Sequence, residues 1–498
     1  MDERSDGPEL RVSTDEPADR PGRAPGDDGI RRPTIEFLIL LGIGILLLRT
    51  FAAEAYVVPT GSMAPTLLGY HKEVTCPNCR FPFVVGMDER GRSPRPVCPN
   101  CGQDDLDREV SVECNGDRLL VQKFFFDVRT PRRWEVAVFQ SPGEPDQAYV
   151  KRVVALPGES IQVVDGDVFI DGSIARKSPR EQKATRILIH DAAFKPADVD
   201  RFPRWTLRVE GSRRPAPSGW KDLGTGFVHD PIPEAEDEDA IDWLNYRHWD
   251  PDRGRFGPIR DFCPYNGGDL RGDNLVRDLA FEAQVAPQAG ATGLFIRIDH
   301  GGDRFLVRIP VDGQGSVEVR RNGRTLETTG HTPGLASTPG GTPSFAHLEG
   351  STIDRRLTIS IDGVPLFDPI DFENAADGVS GSFASPLAFG IGGGGQVEVK
   401  GIRIYRDIFY TGSLAVGPRR PFGVDAPYRL GPDEYFVLGD NSPVSNDSRF
   451  WDGSPVVRGD RFLGKPFLVH LPGQVFALSV FGRSLGWIPD PREIRYIR

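Results

Sequence analysis

Of the 60 basic residues in this 498-residue chain only nine are lysine, at positions 72, 123, 151, 177, 183, 195, 221, 400 and 465, so the other 51 are arginine. An ammonium kept among guanidiniums is a side chain that can give up its proton. Lys151 lies in Tyr149-Val-Lys-Arg-Val-Val-Ala155, and strand alternation puts Tyr149, Lys151 and Val153 on one face. Burial there would depress its pKa and leave an amine able to act as general base near neutral pH. Ser62, on the turn Pro59-Thr60-Gly61-Ser62-Met63, is the nucleophile that such a base would serve. Taken singly, each has a plainer reading: Lys151 as a surface charge at a strand edge, Ser62 as a turn serine.

Other catalytic kits lack parts. There is no His-Glu-x-x-His and no Gly-x-Ser-x-Gly, which argues against a zinc metalloprotease and a Ser-His-Asp hydrolase. Gly390-Ile-Gly-Gly-Gly-Gly395 formally matches a dinucleotide fingerprint, but it leads into a strand pattern rather than a helix. Cys76, Cys79, Cys98 and Cys101 form C-x2-C-x18-C-x2-C, the spacing of a zinc ribbon in which two tight turns supply four thiolates. Two disulfides, which an extracytoplasmic and hence oxidising location would permit, and an unoccupied relic of such a module are the alternatives. Cys114 and Cys263 read as ordinary thiols.

Four stretches occur in order: Ser62-Met-Ala-Pro-Thr-Leu67, Gly116-Asp-Arg-Leu-Leu-Val-Gln-Lys123, Tyr149-Val-Lys-Arg through Pro157-Gly-Glu159, and Gly439-Asp-Asn-Ser-Pro-Val-Ser-Asn-Asp-Ser-Arg449. Together they resemble the signature boxes of type I signal peptidases, membrane-bound Ser-Lys proteases. The resemblance covers residues 35–70, 112–172 and 430–470. It implies Ser62 as nucleophile, Lys151 as general base, Ser445 as the hydroxyl that orients the lysine amine, and Asp447 with Arg449 as a supporting ion pair. It further implies that the Ser62 backbone N–H and the Thr60 hydroxyl bind the oxyanion, with Tyr149 and Asp440 as structural neighbours of the lysine. The residues after Gly439-Asp-Asn, namely Ser442, Pro443 and Val444, depart from the family's charged pattern.

The elements that must position these groups are mainly β. Residues 1–34 are polar and Pro/Gly-rich and read as a disordered cytoplasmic tail. Residues 35–53 form an apolar run of about 19 residues, which at 1.5 Å rise nearly matches the ~30 Å hydrocarbon core and reads as a single transmembrane helix. Arg31 and Arg32 place its N-terminus in the cytoplasm and the body outside. A cleavable leader ending at Ala53-Glu54-Ala55 is the competing reading. Strand patterns at 118–125, 134–140, 149–155, 160–170 and 435–438 predict a catalytic β domain from 54–75, 110–172 and 411–498, with 160–170 and 435–438 in one sheet. A zinc-ribbon-like insertion occupies 76–109. A larger one, 173–410, resembles a concanavalin-like or laminin-G-like jelly roll over about 276–406. Every residue assigned to the reaction lies outside it, so it is expected to be dispensable for peptide-bond chemistry.

A net charge of −11 argues against nucleic acid as a partner, because phosphate binding needs a basic face. The resemblance implies a serine endopeptidase of the inner cell membrane that cuts signal peptides from exported preproteins after small-x-small motifs. It needs no cofactor for catalysis and carries a structural zinc. Signal peptides, membrane lipid and the export machinery are its expected partners. The alternatives are an inactive membrane-tethered binding protein and a self-cleaving Ser-Lys regulator.

Overall fold

The computed structural model describes residues 28–497 except 52, 105, 107–110, 198–202, 211–216, 232–239, 289, 292, 312–314, 330–334, 336–343, 374–384, 393–394, 414–420 and 481–482. Most of the tail expected over 1–34 lies outside the described residues, but its last part does not: a helix runs Asp28–Phe51 and stands in a unit separate from Ala53–Arg498. The helix thus starts earlier than the predicted 35–53 and stops sooner, because Ala53 already pairs with Gln122 as the first residue of a strand. Among the described residues no helix is long and apolar enough to cross a membrane, so a transmembrane helix over 35–53 is not found as such.

The second unit is built on an eight-stranded antiparallel sheet, ordered Ala53–Val57, Arg118–Gln122, Phe462–Leu471, Val136–Gln140, Ala148–Ala155, Glu434–Leu438 and Val457–Arg458, with Arg495–Tyr496 on Phe462–Leu471. Both faces of its centre are covered. Val136 and Val138 pack with Met63, Leu67 and Val121, while Ala137 and Phe139 pack with Val153, Val437 and Trp451. A strand buried on both sides reads as a continuous apolar run, as Val136–Phe139 does. The run 118–125 stops short as a strand, giving way to a one-turn helix at Phe125–Val128.

The stretch 160–170 is not one strand of this sheet. It is a hairpin, Ser160–Val164 and Asp167–Ile170, turned at Asp165 (φ 52°) and Gly166 (φ 90°), and it belongs to a separate four-stranded sheet. A hairpin turn of that hand needs positive φ at both central residues, which Asp-Gly supplies.

The 173–410 segment contributes two antiparallel sheets of nine and seven strands. Phe281, Leu348 and Val399 of the first and Leu244, Ile296 and Phe389 of the second share one buried core, the arrangement of a β-sandwich. It begins well before residue 276: Ile187–Asp191 and Gly226–His229 join the first sheet, Trp205–Glu210 and Ile241–Tyr246 the second. These strands hid in the sequence because Asp242–Tyr246 are all buried and show no alternation.

Candidate active site

Lys151 sits in mid-strand opposite Ala137, with its side chain in the space beside the turn Gly61–Met63. Its Nζ lies 2.7 Å from Ser62 Oγ and 5.7 Å from the Tyr149 ring centre. Tyr149 and Lys151 share a face because they are two residues apart in a strand. Lys151 is buried whereas Ser62 is half-exposed, so the pair has a dry base and an accessible hydroxyl. Burial drives the lysine pKa down to about 8, against the opposing pull of Asp447 and Asp440.

Those two carboxylates are engaged elsewhere, and this lets burial dominate. Asp440 faces Arg152 rather than the lysine: Arg152 Nε and Nη2 donate to Asp440 Oδ1 and Oδ2 at 2.8 and 2.6 Å, and Thr66 Oγ1 donates to Oδ2 at 2.5 Å. Consecutive strand residues point to opposite faces, so Lys151 serves one side and Arg152 the other. Asp447 forms a fully buried two-point pair with Arg449, at 2.9 and 2.7 Å, and accepts the Gly439 N–H at 2.9 Å. Arg449 also reaches Ser442 Oγ at 2.7 Å and the Thr411 carbonyl at 2.5 Å. Ser442, where the sequence departs from the family pattern, is thus part of this network.

Thr60 Oγ1 is 3.5 Å from Ser62 Oγ. Ser445 Oγ is buried and makes no hydrogen bond among the described residues. The hydroxyl lies against Gly439, where an added Cβ would come within 2.1 Å of it and 2.5 Å of the Ser62 carbonyl. Only a glycine backbone fits between the two.

Sequence reasoning missed Arg152 and Asn441. A second cation directly after Lys151 in an apolar strand and the Asn following Asp440 were the available signals. Asn441 holds the Ser62 turn, its backbone N–H donating to the Ser62 carbonyl at 3.0 Å and its Nδ2 to the Gly61 carbonyl at 2.9 Å.

The four cysteines of the 76–109 segment converge. Their sulfurs lie within 4.8 Å of one another, with Cys76 to Cys101 at 3.5 Å and Cys79 to Cys98 at 3.6 Å. All are buried free thiols, whereas a disulfide needs about 2.05 Å. A zinc with ligands at about 2.3 Å would set tetrahedral sulfurs about 3.8 Å apart, so the donor set fits that ion. The two knuckles repeat each other: Arg80 N–H donates to the Cys76 carbonyl and Gly102 N–H to the Cys98 carbonyl, both at 2.8 Å, with φ of 65° and 78° at Arg80 and Gly102.

The family described as "Signal peptidase, peptidase S26" matches residues 111–211, a span that includes Lys151 but neither Ser62 nor Ser445. A signal peptidase I of Leptolyngbya laminosa is 30% identical over 181 residues, covering 34% of this chain and 64% of that protein. One of Pseudomonas fluorescens is 31% identical over 136 residues, covering 27% of this chain and 36% of that protein. The chain thus spans less than two thirds of the length of either relative. Among solved structures, a galectin of Caenorhabditis elegans aligns with 30% of this chain and 87% of its own at 14% identity and a TM-score of 0.19, too low to carry an argument about the sandwich. Over residues 111–211, which include the Lys151 strand, and in the matches to these two proteins, the chain is similar to the type I signal peptidases.

Proposed function

We propose that this protein is a membrane-anchored serine endopeptidase that removes signal peptides from exported preproteins after small-x-small motifs, with Ser62 as nucleophile and Lys151 as general base. The observation that carries this reading is the 2.7 Å approach of a buried lysine amine, its pKa lowered to about 8, to the hydroxyl of a half-exposed serine on a rigid turn. A neutral Lys151 takes the Ser62 proton as Oγ attacks the scissile carbonyl, and returns it to the departing amine. The same amine then activates the water that hydrolyses the ester. The Ser62 N–H and the Thr60 hydroxyl bind the oxyanion. Ser445, with its hydroxyl uncommitted, steadies the lysine amine as it changes protonation state, and the Asp447–Arg449 and Asp440–Arg152 pairs hold the loop around it. Tyr149 walls the lysine from water.

Anchoring through the first helix is part of the proposal. Ile35, Phe37, Leu38, Ile39, Leu40 and Leu41 are all exposed on it, a patch that lipid would cover. The 76–109 segment takes a structural zinc on Cys76, Cys79, Cys98 and Cys101, leaving catalysis free of cofactors. The sandwich of 173–410 is an accessory body of this enzyme. Incubation of the full chain in detergent with a preprotein bearing a small-x-small site, beside Ser62→Ala, tests the reading: cleavage at that site by the parent and none by the variant is expected. Equal cleavage by both would remove Ser62 from the reaction.

A further inference from the structure

The sandwich segment does not stay clear of the Ser62 turn. Its Pro264–Asp269 turn places two side chains there. The Tyr265 ring lies between two glycine backbones: a Cβ added to Gly61 would come 2.0 Å from its Cε1, and one added to Gly86 2.3 Å. Its hydroxyl donates to the Tyr70 carbonyl at 2.8 Å. Asn266 faces Asn441, and each amide donates to the other's oxygen, Asn266 Nδ2 to Asn441 Oδ1 at 2.8 Å and Asn441 Nδ2 to Asn266 Oδ1 at 2.7 Å. The turn is anchored from behind, where Gly268 N–H donates to the Arg95 carbonyl at 2.8 Å.

We infer that Asn266 and Tyr265 are positioning residues for the Ser62 turn, so that the large insertion completes the active site; the inference rests on Ser62 being the nucleophile. A trans peptide is planar with its C=O and N–H opposed, so whatever holds the Gly61 carbonyl also aims the Ser62 N–H. Asn441 holds it with Nδ2. That grip works only with the donor end of the Asn441 amide facing Gly61, because the flipped amide would set oxygen against oxygen. Asn266 supports this orientation, giving Asn441 Oδ1 a donor and Nδ2 a second acceptor, so that the Asn441 amide cannot flip unless Asn266 flips with it. Tyr265 closes the opposite side, filling the space that the absent Gly61 side chain leaves. An oxyanion donor misaimed by a fraction of an ångström loses most of its value in the transition state while ground-state binding is little changed. The sandwich therefore reaches the chemistry through two side chains, contrary to the expectation that 173–410 is dispensable.

The test uses the full chain in detergent and a short quenched small-x-small peptide, with kcat and KM determined separately. Asn266→Ala, and Asn266→Asp, which keeps the shape but turns a carboxylate oxygen toward Asn441 Oδ1, are expected to lower kcat on the order of 10- to 100-fold, with KM within about twofold. Their pH midpoint should stay at that of the parent, since Lys151 is untouched. Tyr265→Ala should lower kcat similarly, and Arg320→Ala, on an exposed hairpin of the sandwich, should match the parent. The Asp variant guards against a folding defect in the Ala variant, with thermal unfolding of each compared to the parent. A folded Asn266→Asp variant with parental kcat, or a loss confined to KM, overturns the inference while leaving the Ser62 reading intact. A parent no more active than Ser62→Ala overturns both.

Discussion

Arg152 and Asp440 meet through two hydrogen bonds of 2.8 and 2.6 Å in a place from which water is excluded, both side chains being at most 1% exposed. The pair joins the Lys151 strand to the 439–449 loop, one of the links across which the proposed dyad is held. Removing one partner of such a pair strands the other charge. Asp440→Ala is expected to destabilise the second unit by about 3–5 kcal/mol, read from urea unfolding. Joint replacement by apolar residues of similar volume, Arg152→Met with Asp440→Leu, should cost far less. Equal losses in the single and double variants would show that packing, not charge, governs the site.

Activity should rise with pH through a midpoint near 8, because burial lowers Lys151 to about that value and only its neutral form accepts the Ser62 proton. Lys151→Arg should be inactive throughout, since a guanidinium stays protonated. A pH-rate profile of the peptide cleavage checks both, and a midpoint near 6.5 abolished by histidine modification would assign the base elsewhere.

The same depression costs stability. Between about 8 and the ordinary 10.5 the unfolded chain binds a proton that the folded chain does not, so folding becomes more favourable as pH rises across that window. Below it the cost is complete. Lys151→Met should therefore stabilise the protein at pH 7 by up to about 3 kcal/mol, a gain that shrinks at pH 9.5. Urea midpoints at the two pH values decide this, and a gain independent of pH would point to packing alone.

Purified protein should contain about one zinc per chain, held by the four converging sulfurs. Cys98→Ser should lower the zinc content and the thermal midpoint of the body together. Metal-free protein whose cysteines prove pairwise oxidised by mass spectrometry would return the segment to the disulfide reading.

Much of this was legible along the chain because the signals are local. Alternation and turn residues marked the strand carrying Lys151, the two-residue gaps between cysteines marked the knuckles, and the ordered boxes around Ser62, Lys151 and Gly439 carried the family likeness. Tertiary structure decided who meets whom. Asp440 acts on the lysine through its charge, but it is hydrogen-bonded to Arg152, on the opposite face of the same strand, and that pairing joins residues 288 apart in the chain. The Ser445 hydroxyl lies buried against Gly439, next to the Ser62 carbonyl, a closeness that only the approach of its loop to the Ser62 turn creates. The 160–170 hairpin left the main sheet at a turn whose two residues read equally well as an interruption within one strand. Most of all, Tyr265 and Asn266 carry no local mark of function. Their place comes from the docking of one folded body on another across 175 residues of chain, and side-chain periodicity records which face of a strand is buried, not what is brought to cover it.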